Sequence, residues 1–263
     1  MNSLFRNVRL DRKRGAEVAL HTHEDSQLIY AVSGTMQVHT VTGRWLVPPG
    51  LAAWIPTSMP HRVEFISNAE LWLIYWSAQA TTAWAPPGLL KRAFALGVTP
   101  LLRELLDAAT ASRDAAIRTE LVVRLVLQEL TALTDAPTYL PLPHSETGRR
   151  IAERILADPC CQRSLDDLAT DAATSTRNIS RLFPAEIGQT FKSWRQRARI
   201  AFAVERLSSG IPIKKVADEI GFSSAAAFAV AFRQVTLMTP TEFQGKTARL
   251  CAAHSGPASR RGS

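Results

Sequence analysis

Three histidines and one glutamine near the start of the chain have the types and spacing of metal ligands. His21 and His23 are two residues apart, so in an extended strand their side chains point to the same face. Gln27 follows closely, and His61 belongs to a later strand pattern. Imidazole nitrogens and an amide oxygen together form a mixed set that suits a divalent transition metal. We therefore predict a metal site at these four residues, with hydrogen bonding among the histidines, or to an organic ligand, as the alternative.

A second group of polar side chains, in the later half of the chain, has the chemistry to read DNA. Arg177, Asn178, Ser180 and Arg181 lie within one helical pattern. Arginine bonds a guanine edge through two hydrogen bonds, which gives about 1–3 kcal/mol of discrimination. The alternative for each arginine is a phosphate contact, which positions a protein without reading sequence.

The element that carries these residues is repeated. Ala169 and Ser175 recur 48 residues later as Ala217 and Ser223, each pair followed by a helical pattern. A small residue, a tight turn four residues later and a capped helix are typical of a helix-turn-helix, whose second helix enters a major groove. A duplicated match is more specific than a single one. The sequence therefore predicts two DNA-reading units joined by a helix over Phe191 to Leu207.

The distribution of charge supports this interpretation. Residues 1–144 contain 13 Lys/Arg and 12 Asp/Glu, whereas residues 145–263 contain 18 and 11. A neutral half followed by a basic half indicates a polyanion-binding module joined to something else. Cys160, Cys161 and Cys251 have neither disulfide-framework nor zinc-finger spacing, and the chain has no apolar signal or membrane-spanning run. We expect a cytoplasmic protein that does not enter a membrane.

The N-terminal part has the pattern of an all-β unit. Short strand patterns separated by Gly, Pro, Ser and Asn turns run from Glu17 to Ala78, which is typical of a sandwich or barrel. Helical patterns follow at Leu89 to Leu96, Leu101 to Ala109 and Ala115 to Leu133. The last carries an apolar stripe too wide to face one small sheet, so we predict that it forms part of a dimer interface, with burial inside one chain as the alternative.

The proline-rich stretch 134–147 is the best candidate for a linker. Helical patterns resume at Gly148, with Ser164, Ser175 and Ser223 as expected caps. The predicted class is thus α+β, with an N-terminal barrel and C-terminal helices followed by an all-α domain. The predicted domains are a barrel over 1–80, a dimerisation segment over 81–133, the linker, a DNA-binding domain over 148–246 and a flexible tail over 247–263.

Residues 164–243 resemble the DNA-binding domain of AraC/XylS-type bacterial transcription regulators over nearly its full length. The match rests on Leu165, Leu168, Ala169, Arg181, Leu182, Phe183, Gly188, Phe191, Trp194, Arg197, Ile213, Val216, Ala217, Gly221, Phe222, Phe228, Phe232, Arg233, Thr239, Pro240 and Phe243. The resemblance implies that the joining helix holds two recognition helices about one DNA turn apart. It also implies that promoter DNA is a partner, with RNA polymerase as a further partner if the protein is an activator rather than a repressor.

Carried over by position, the groove-facing residues of the first unit are Arg177, Ser180 and Arg181. Of these, Arg181 is the better base-reading candidate and Arg177 fits either role, while Asn178 is expected near the DNA backbone. In the second unit the groove-facing residues are Ala225, Ala226, Ala229 and Val230, with Ser224 beside them, and the alanine and valine side chains cannot hydrogen-bond a base edge. Phosphate contacts or simple solvated charge are expected at Lys192, Arg195, Arg199, Lys214 and Lys215. Ala173 takes the place of the usual turn glycine, at a modest conformational cost.

The strand region resembles the cupin family. Gly15, His21, His23, Gln27 and Gly34 match its first motif, except that glutamine occupies the usual glutamate position. Gly43, Pro48 and Gly50, followed at a longer interval by His61, match the second. The resemblance implies a barrel whose interior binds a divalent transition metal or an organic effector. The aromatic residues expected to line an effector pocket are Tyr30, Trp45, Trp54 and Trp76.

These features predict a homodimeric regulator in which a cupin-like domain senses a small molecule or metal and a tandem helix-turn-helix domain binds double-stranded promoter DNA. One alternative is a metal-dependent cupin enzyme with an accessory DNA-binding domain. The missing glutamate argues against it, and we expect no enzymatic activity. Another alternative is a DNA binder without sequence preference.

Overall fold

A computed structural model describes residues 4–111, 116–133, 135–160 and 163–245. Within these ranges ten strands form two five-stranded antiparallel sheets, followed mainly by helices. The predicted α+β class and the barrel-then-helices order are confirmed. The strands are β1 Phe5–Arg12, β2 Glu17–His21, β3 Ser26–Ser33, β4 Met36–Thr40, β5 Gly43–Val47, β6 Leu51–Ile55, β7 His61–Phe65, β8 Ala69–Trp76, β9 Phe94–Gly97 and β10 Tyr139–Pro141.

One sheet has the order β1-β8-β3-β6-β9 and the other the order β10-β5-β4-β7-β2. Side chains alternate between the two faces of each strand, so β3 contributes residues to two hydrophobic cores. Ile29 and Ala31 pack against the opposing sheet, inside the barrel. Leu28 and Tyr30 point to the outer face, where helices cover the first sheet.

The helices that cover the first sheet are α1 Ala78–Trp84, α2 Pro100–Ala111 and α3 Ala116–Ala132, with a short 3-10 helix at Pro87–Leu90. The expected helix over Leu89 to Leu96 is wrong. Its C-terminal residues form β9, which pairs with β6 through partners such as Phe94 and Trp54. The barrel therefore also uses chain beyond residue 80. The sequence pattern also does not predict strand β1, which pairs with β8, because arginines interrupt its alternation of polar and apolar residues.

The C-terminal part contains α4 Glu146–Ala157, α5 Leu165–Asp171, α6 Thr176–Ile187, α7 Phe191–Ser208, α8 Ile213–Glu219 and α9 Ala225–Thr236, and residues 240–245 are also helical. Helix α7 belongs to both halves of this domain. Its Trp194 and Ala198 lie in the core of the first half, and its Ile200 and Val204 lie in the core of the second. With 18 residues it spans about 27 Å.

Side-chain caps define where these helices begin. Ser164 and Asp167 form a reciprocal capping box on α5, and Ser175 accepts a hydrogen bond from Asn178 N on α6, as predicted. The predicted cap at Ser223 is wrong by one residue. Ser224 caps α9 by accepting a hydrogen bond from Ala227 N at 3.1 Å.

The proposed linker is more ordered than its prolines suggest. Tyr139–Pro141 forms β10, which pairs with β5 at the edge of the second sheet. Prolines are tolerated on such an edge, where one side of the strand makes no ladder bonds. The stretch 134–147 is therefore in part a barrel strand. The predicted tail over 247–263 lies outside the described residues, and no described helix is long and apolar enough to cross a membrane.

Candidate nucleic-acid interface and metal centre

The first candidate DNA-reading unit consists of α5, a tight turn and α6. The turn places Ala173 at a φ of 50°, a left-handed conformation that is unfavourable for a residue with a Cβ. The equivalent residue of the second unit is Gly221, with a φ of 77°. Leu168, Ile179 and Phe183 are buried behind the turn. The two helices are therefore fixed at an angle that leaves the opposite face of α6 in solvent.

That solvent-facing surface carries the predicted reading residues. Arg177, Ser180 and Arg181 are all exposed, at the N-terminal half of α6. Asn178 is half-buried, and its amide nitrogen donates to Thr174 Oγ1 at 2.8 Å. Its amide oxygen accepts a hydrogen bond from an Arg181 guanidinium nitrogen at 3.3 Å. Asn178 is therefore placed to orient Arg181.

The second unit, α8 and α9, presents a different surface. Ala225 and Ala226 are exposed and Ala229 is half-buried, while Val230 is 60% exposed. These side chains offer methyl groups but no hydrogen-bonding atoms. The structure thus leaves both recognition surfaces accessible and makes them chemically unequal.

The predicted phosphate-contacting residues differ in their surroundings. Lys192, Lys214 and Lys215 are exposed. Arg195 is half-buried, and its guanidinium donates to the Arg163 backbone oxygen at 2.8 Å. It therefore connects α7 to the loop before α5 within the domain. The sequence pattern does not indicate this bond, because the two residues are 32 positions apart.

The barrel brings three histidines together, as the sequence predicts. The ring centroids of His21 and His61 are 4.2 Å apart, and those of His23 and His61 are 5.0 Å apart. One nitrogen from each of His21, His23 and His61 lies within 4.8 Å of the others. Strand pairing explains this, because His21 at the end of β2 is opposite His61 at the start of β7.

Hydrogen bonds orient all three rings in the same way. The Nδ1 atoms of His21, His23 and His61 lie 2.9, 2.6 and 2.9 Å from the backbone oxygens of Ala19, Asp25 and Met59. A carbonyl oxygen only accepts, so each Nδ1 carries a proton, and the lone pair of the neutral ring lies on Nε2. A histidine with its Nδ1–H held by a carbonyl is the usual arrangement for a metal ligand.

His61 is the most constrained member of this cluster. Its side chain is fully buried, and its Nε2 has no hydrogen-bond partner in the described part of the chain. Burial lowers the pKa of His61 to about 4, so the ring is neutral at pH 7. A buried, unpartnered lone pair is costly unless something binds it. The donor set therefore fits a divalent transition metal.

Gln27 supplies a fourth donor atom. Its Oε1 lies 3.2 Å from His23 Nε2, and its Nε2 donates to the Tyr75 hydroxyl at 2.7 Å. An amide oxygen only accepts, so Oε1 and His23 Nε2 fit this distance if the nitrogen donates a proton or if a cation lies between the two atoms. With neither, rotation of the amide would let Gln27 donate to His23. Tyr75 was not predicted from the sequence, and only its place in the alternation of β8 could have indicated it.

The four aromatic residues predicted to line an effector pocket do not line the cavity beside the histidines. Tyr30, Trp54 and Trp76 lie on the outer face of the first sheet, in the core shared with the helices. Trp45 instead stacks on Tyr139 of β10, with ring centroids 4.5 Å apart. The cavity beside the histidines has a volume of about 180 Å³ and aliphatic walls. It is lined by Leu10, Arg12, Val18, His21, Gln27, Ile29, His61, Val63, Phe65, Leu71, Leu73 and Tyr75.

The barrel and the helical domain meet at β10. Pro141 and Tyr139 accept hydrogen bonds through their backbone oxygens, from Trp194 Nε1 at 2.6 Å and from the Arg197 guanidinium at 3.2 Å. Leu140 is buried in the core of the first reading unit. Because β10 also pairs with β5, one strand belongs to both domains. A shift of this barrel edge would therefore move α7.

Comparisons with known proteins agree with both parts of the structure. A family model for the helix-turn-helix domain matches residues 168–246, and one for the cupin domain matches residues 9–76. The HTH-type transcriptional regulator NimR of Escherichia coli is 30% identical over 227 residues, which are 85% of this chain and 81% of that protein.

Two further similarities are weaker, the first in the length covered and the second in sequence identity. A putative AraC-like transcription regulator of Streptomyces antibioticus is 31% identical over 88 residues, which are 33% of this chain and 29% of that protein. Among solved structures, fatty-acid-bound ToxT of Vibrio cholerae is 13% identical with a TM-score of 0.40, over 93% of this chain and 96% of that one.

Proposed function

Because this chain belongs to the AraC family of helix-turn-helix transcriptional regulators, we propose that its cupin domain controls how its tandem helix-turn-helix domain binds promoter DNA. The chain is a DNA-binding transcription regulator with a cupin domain. The observation that carries the proposal is the shared strand β10, which pairs with the barrel and bonds to the helix that joins the two reading units. We propose a cytoplasmic location, where its promoter DNA lies.

In the proposed DNA complex, α6 and α9 enter successive major grooves. Arg181, oriented by Asn178, reads a guanine, and Arg177 contacts a base or a phosphate. The alanines and Val230 of α9 contact thymine methyl groups and allow close approach. Lys192 contacts a phosphate near the start of α7. Sequence recognition is therefore concentrated in the first unit.

In the proposed sensor site, His21, His23, His61 and Gln27 would hold a divalent transition metal. The support comes from three oriented rings and the unpartnered, buried Nε2 of His61. When bound, the metal would supply a Lewis-acidic centre. Gln27, in place of a glutamate that could act as a base, favours binding over turnover, so the proposed role is non-enzymatic.

The proposed assembly is a homodimer formed through α3. Ile117, Leu121 and Leu125 are 79%, 61% and 44% exposed and recur every four residues, so they form one stripe. An exposed apolar stripe of this kind typically marks a protein interface. If the protein activates transcription, the bound dimer also contacts RNA polymerase.

Protection mapping of the protein on its own upstream DNA tests the proposed function. We expect a protected site that covers two successive major grooves on one face of the duplex. Chelation of the metal should change the affinity or the extent of protection. Protection without a preferred site would contradict promoter recognition, and identical footprints of the metal-loaded and metal-free protein would contradict control by the cupin domain.

A further inference from the structure

The cavity beside the histidines has one polar end and otherwise apolar walls. His21, His61, Gln27 and Tyr75 lie at the polar end. The remaining walls are mostly aliphatic, from β2, β3, β7 and β8. At about 180 Å³ the cavity is smaller than the roughly 300–1,000 Å³ typical of pockets for drug-sized ligands. It therefore suits a small molecule with a compact apolar body and one polar group.

The charge of the polar end is determined by Gln27. A neutral imidazole carries no charge, and neither does an amide, so the four candidate ligands leave the charge of a divalent ion uncompensated. No acidic residue is among the described residues that line the cavity. The nearby carboxylates are engaged elsewhere, Asp25 with Arg6 and Glu64 with Arg62 and His39. With a metal bound, the polar end is thus strongly positive.

Arg12 adds to this positive charge at the rim. It lines the cavity and is exposed, at the end of β1. Its guanidinium bonds only the adjacent Asp11 backbone oxygen, at 3.3 Å, among the described contacts. A metal charge at the polar end and a guanidinium at the rim of this partly open cavity favour an anion, since opposite charges attract.

We propose that the effector of this cavity is a small organic monoanion, such as a carboxylate, with an apolar body. Its charged group lies at the polar end and its body lies against the aliphatic walls. This inference rests on the proposed metal site. Gln27 is the specificity-determining residue, because a glutamate there would neutralise part of the charge that selects the anion. A neutral isostere should bind more weakly.

The test uses the full chain loaded with Co²⁺, whose visible absorption reports binding at the site. Benzoate and hexanoate are titrated by calorimetry against benzamide and hexanamide, with acetate as an anion that lacks an apolar body. At least one of the two larger carboxylates should bind about tenfold or more tightly than its amide and than acetate. If each amide binds as well as its acid, or if neither carboxylate binds to the Co²⁺-loaded protein, the inference is wrong.

Two variants sharpen the test. Gln27→Glu should hold Co²⁺ more tightly and yet bind the carboxylate about tenfold or more weakly, because the added charge attracts one ligand and repels the other. Arg12→Gln, at an exposed position, should weaken carboxylate binding without changing Co²⁺ affinity. Unchanged carboxylate affinity in both variants would overturn the inference. Failure of the wild-type protein to bind Co²⁺ would instead overturn the proposed metal site, and this inference with it.

Discussion

Arg181 is the side chain on which the account of DNA recognition depends most. It is exposed at the N-terminal half of α6, and Asn178 connects it to Thr174 in the turn. A flexible arginine that is held in place loses less conformational freedom when it binds a base. The resemblance of the sequence to the AraC/XylS family indicated Arg181 by its position. It could not indicate the role of Asn178, because that depends on side-chain geometry.

We predict that Arg181→Ala weakens binding to the target site by about 1–3 kcal/mol, or roughly 5- to 150-fold. Binding to random DNA should change much less, because a base contact is lost rather than a phosphate contact. Fluorescence anisotropy with both duplexes at one salt concentration measures this. Lys192→Ala serves as the comparison and should weaken binding to both duplexes equally. An equal loss on both duplexes for Arg181→Ala would assign it to the phosphate backbone.

The cluster of three histidines was also predictable from single residues, but the lining of the cavity beside it was not. His21 and His23 share a face because they are two residues apart, whatever the details of the barrel. Tyr30 and Trp54 required knowledge of which strand face points inward. Both faces of β3 and β6 are buried, so hydrophobicity alone could not distinguish the barrel interior from the face beneath the helices.

Strand β10 is the element that differs most from the sequence-based prediction, which placed a linker there. Three residues in a proline-rich stretch have too little alternation to predict a strand. The structure stabilises this strand through tertiary contacts: Tyr139 stacks on Trp45, and its hydroxyl donates to the Thr42 backbone oxygen at 2.8 Å. Strand β9 has a similar origin, because it forms through pairing with β6 and a bridge between Leu96 and Asp135.

Tyr139→Ala should therefore uncouple the two domains. We expect the metal-dependent change in operator affinity, typically 5- to 150-fold for coupled sites, to fall towards onefold. The affinity for the metal should not change, because Tyr139 does not line the cavity beside the histidines. Tyr139→Phe keeps the stacking and should keep most of the coupling. Full coupling in Tyr139→Ala would exclude β10 as the connection.

The exposed apolar stripe on α3 leads to a prediction about dimer formation. Leu121→Asp places a charge in the exposed stripe, so we expect the dimer to dissociate, as measured by analytical ultracentrifugation. Leu20→Asp is a matched control, because Leu20 is 69% exposed on β2 of the other sheet. It should leave the dimer intact. A dimer that survives Leu121→Asp would place the interface elsewhere.

At the scale of the whole molecule, the chain joins a nearly neutral barrel to a basic helical domain. The sequence predicted this division correctly from charge and from the repeated helix-turn-helix pattern. It did not predict that a barrel strand lies within the expected linker, because strand pairing across long separations leaves little local signal.

Metal binding should stabilise the folded protein, because the site is formed only when β2 and β7 pair. With Zn²⁺ at about 100 times its Kd, we expect about 2.7 kcal/mol of added stability and a melting temperature several degrees higher. The double variant His21→Ala, His23→Ala should show no such rise, as measured by scanning calorimetry. A rise of equal size in the double variant would indicate that Zn²⁺ binds elsewhere.

Selection of duplexes from a random DNA pool by this chain shows whether sequence recognition is concentrated in α6. Two enriched blocks should emerge, about 10 base pairs apart from centre to centre. One block should contain strongly fixed guanines, read by α6. The other should show only a preference for thymine or adenine, opposite the alanine surface of α9. No enrichment, or equally strong guanine requirements in both blocks, would contradict the account.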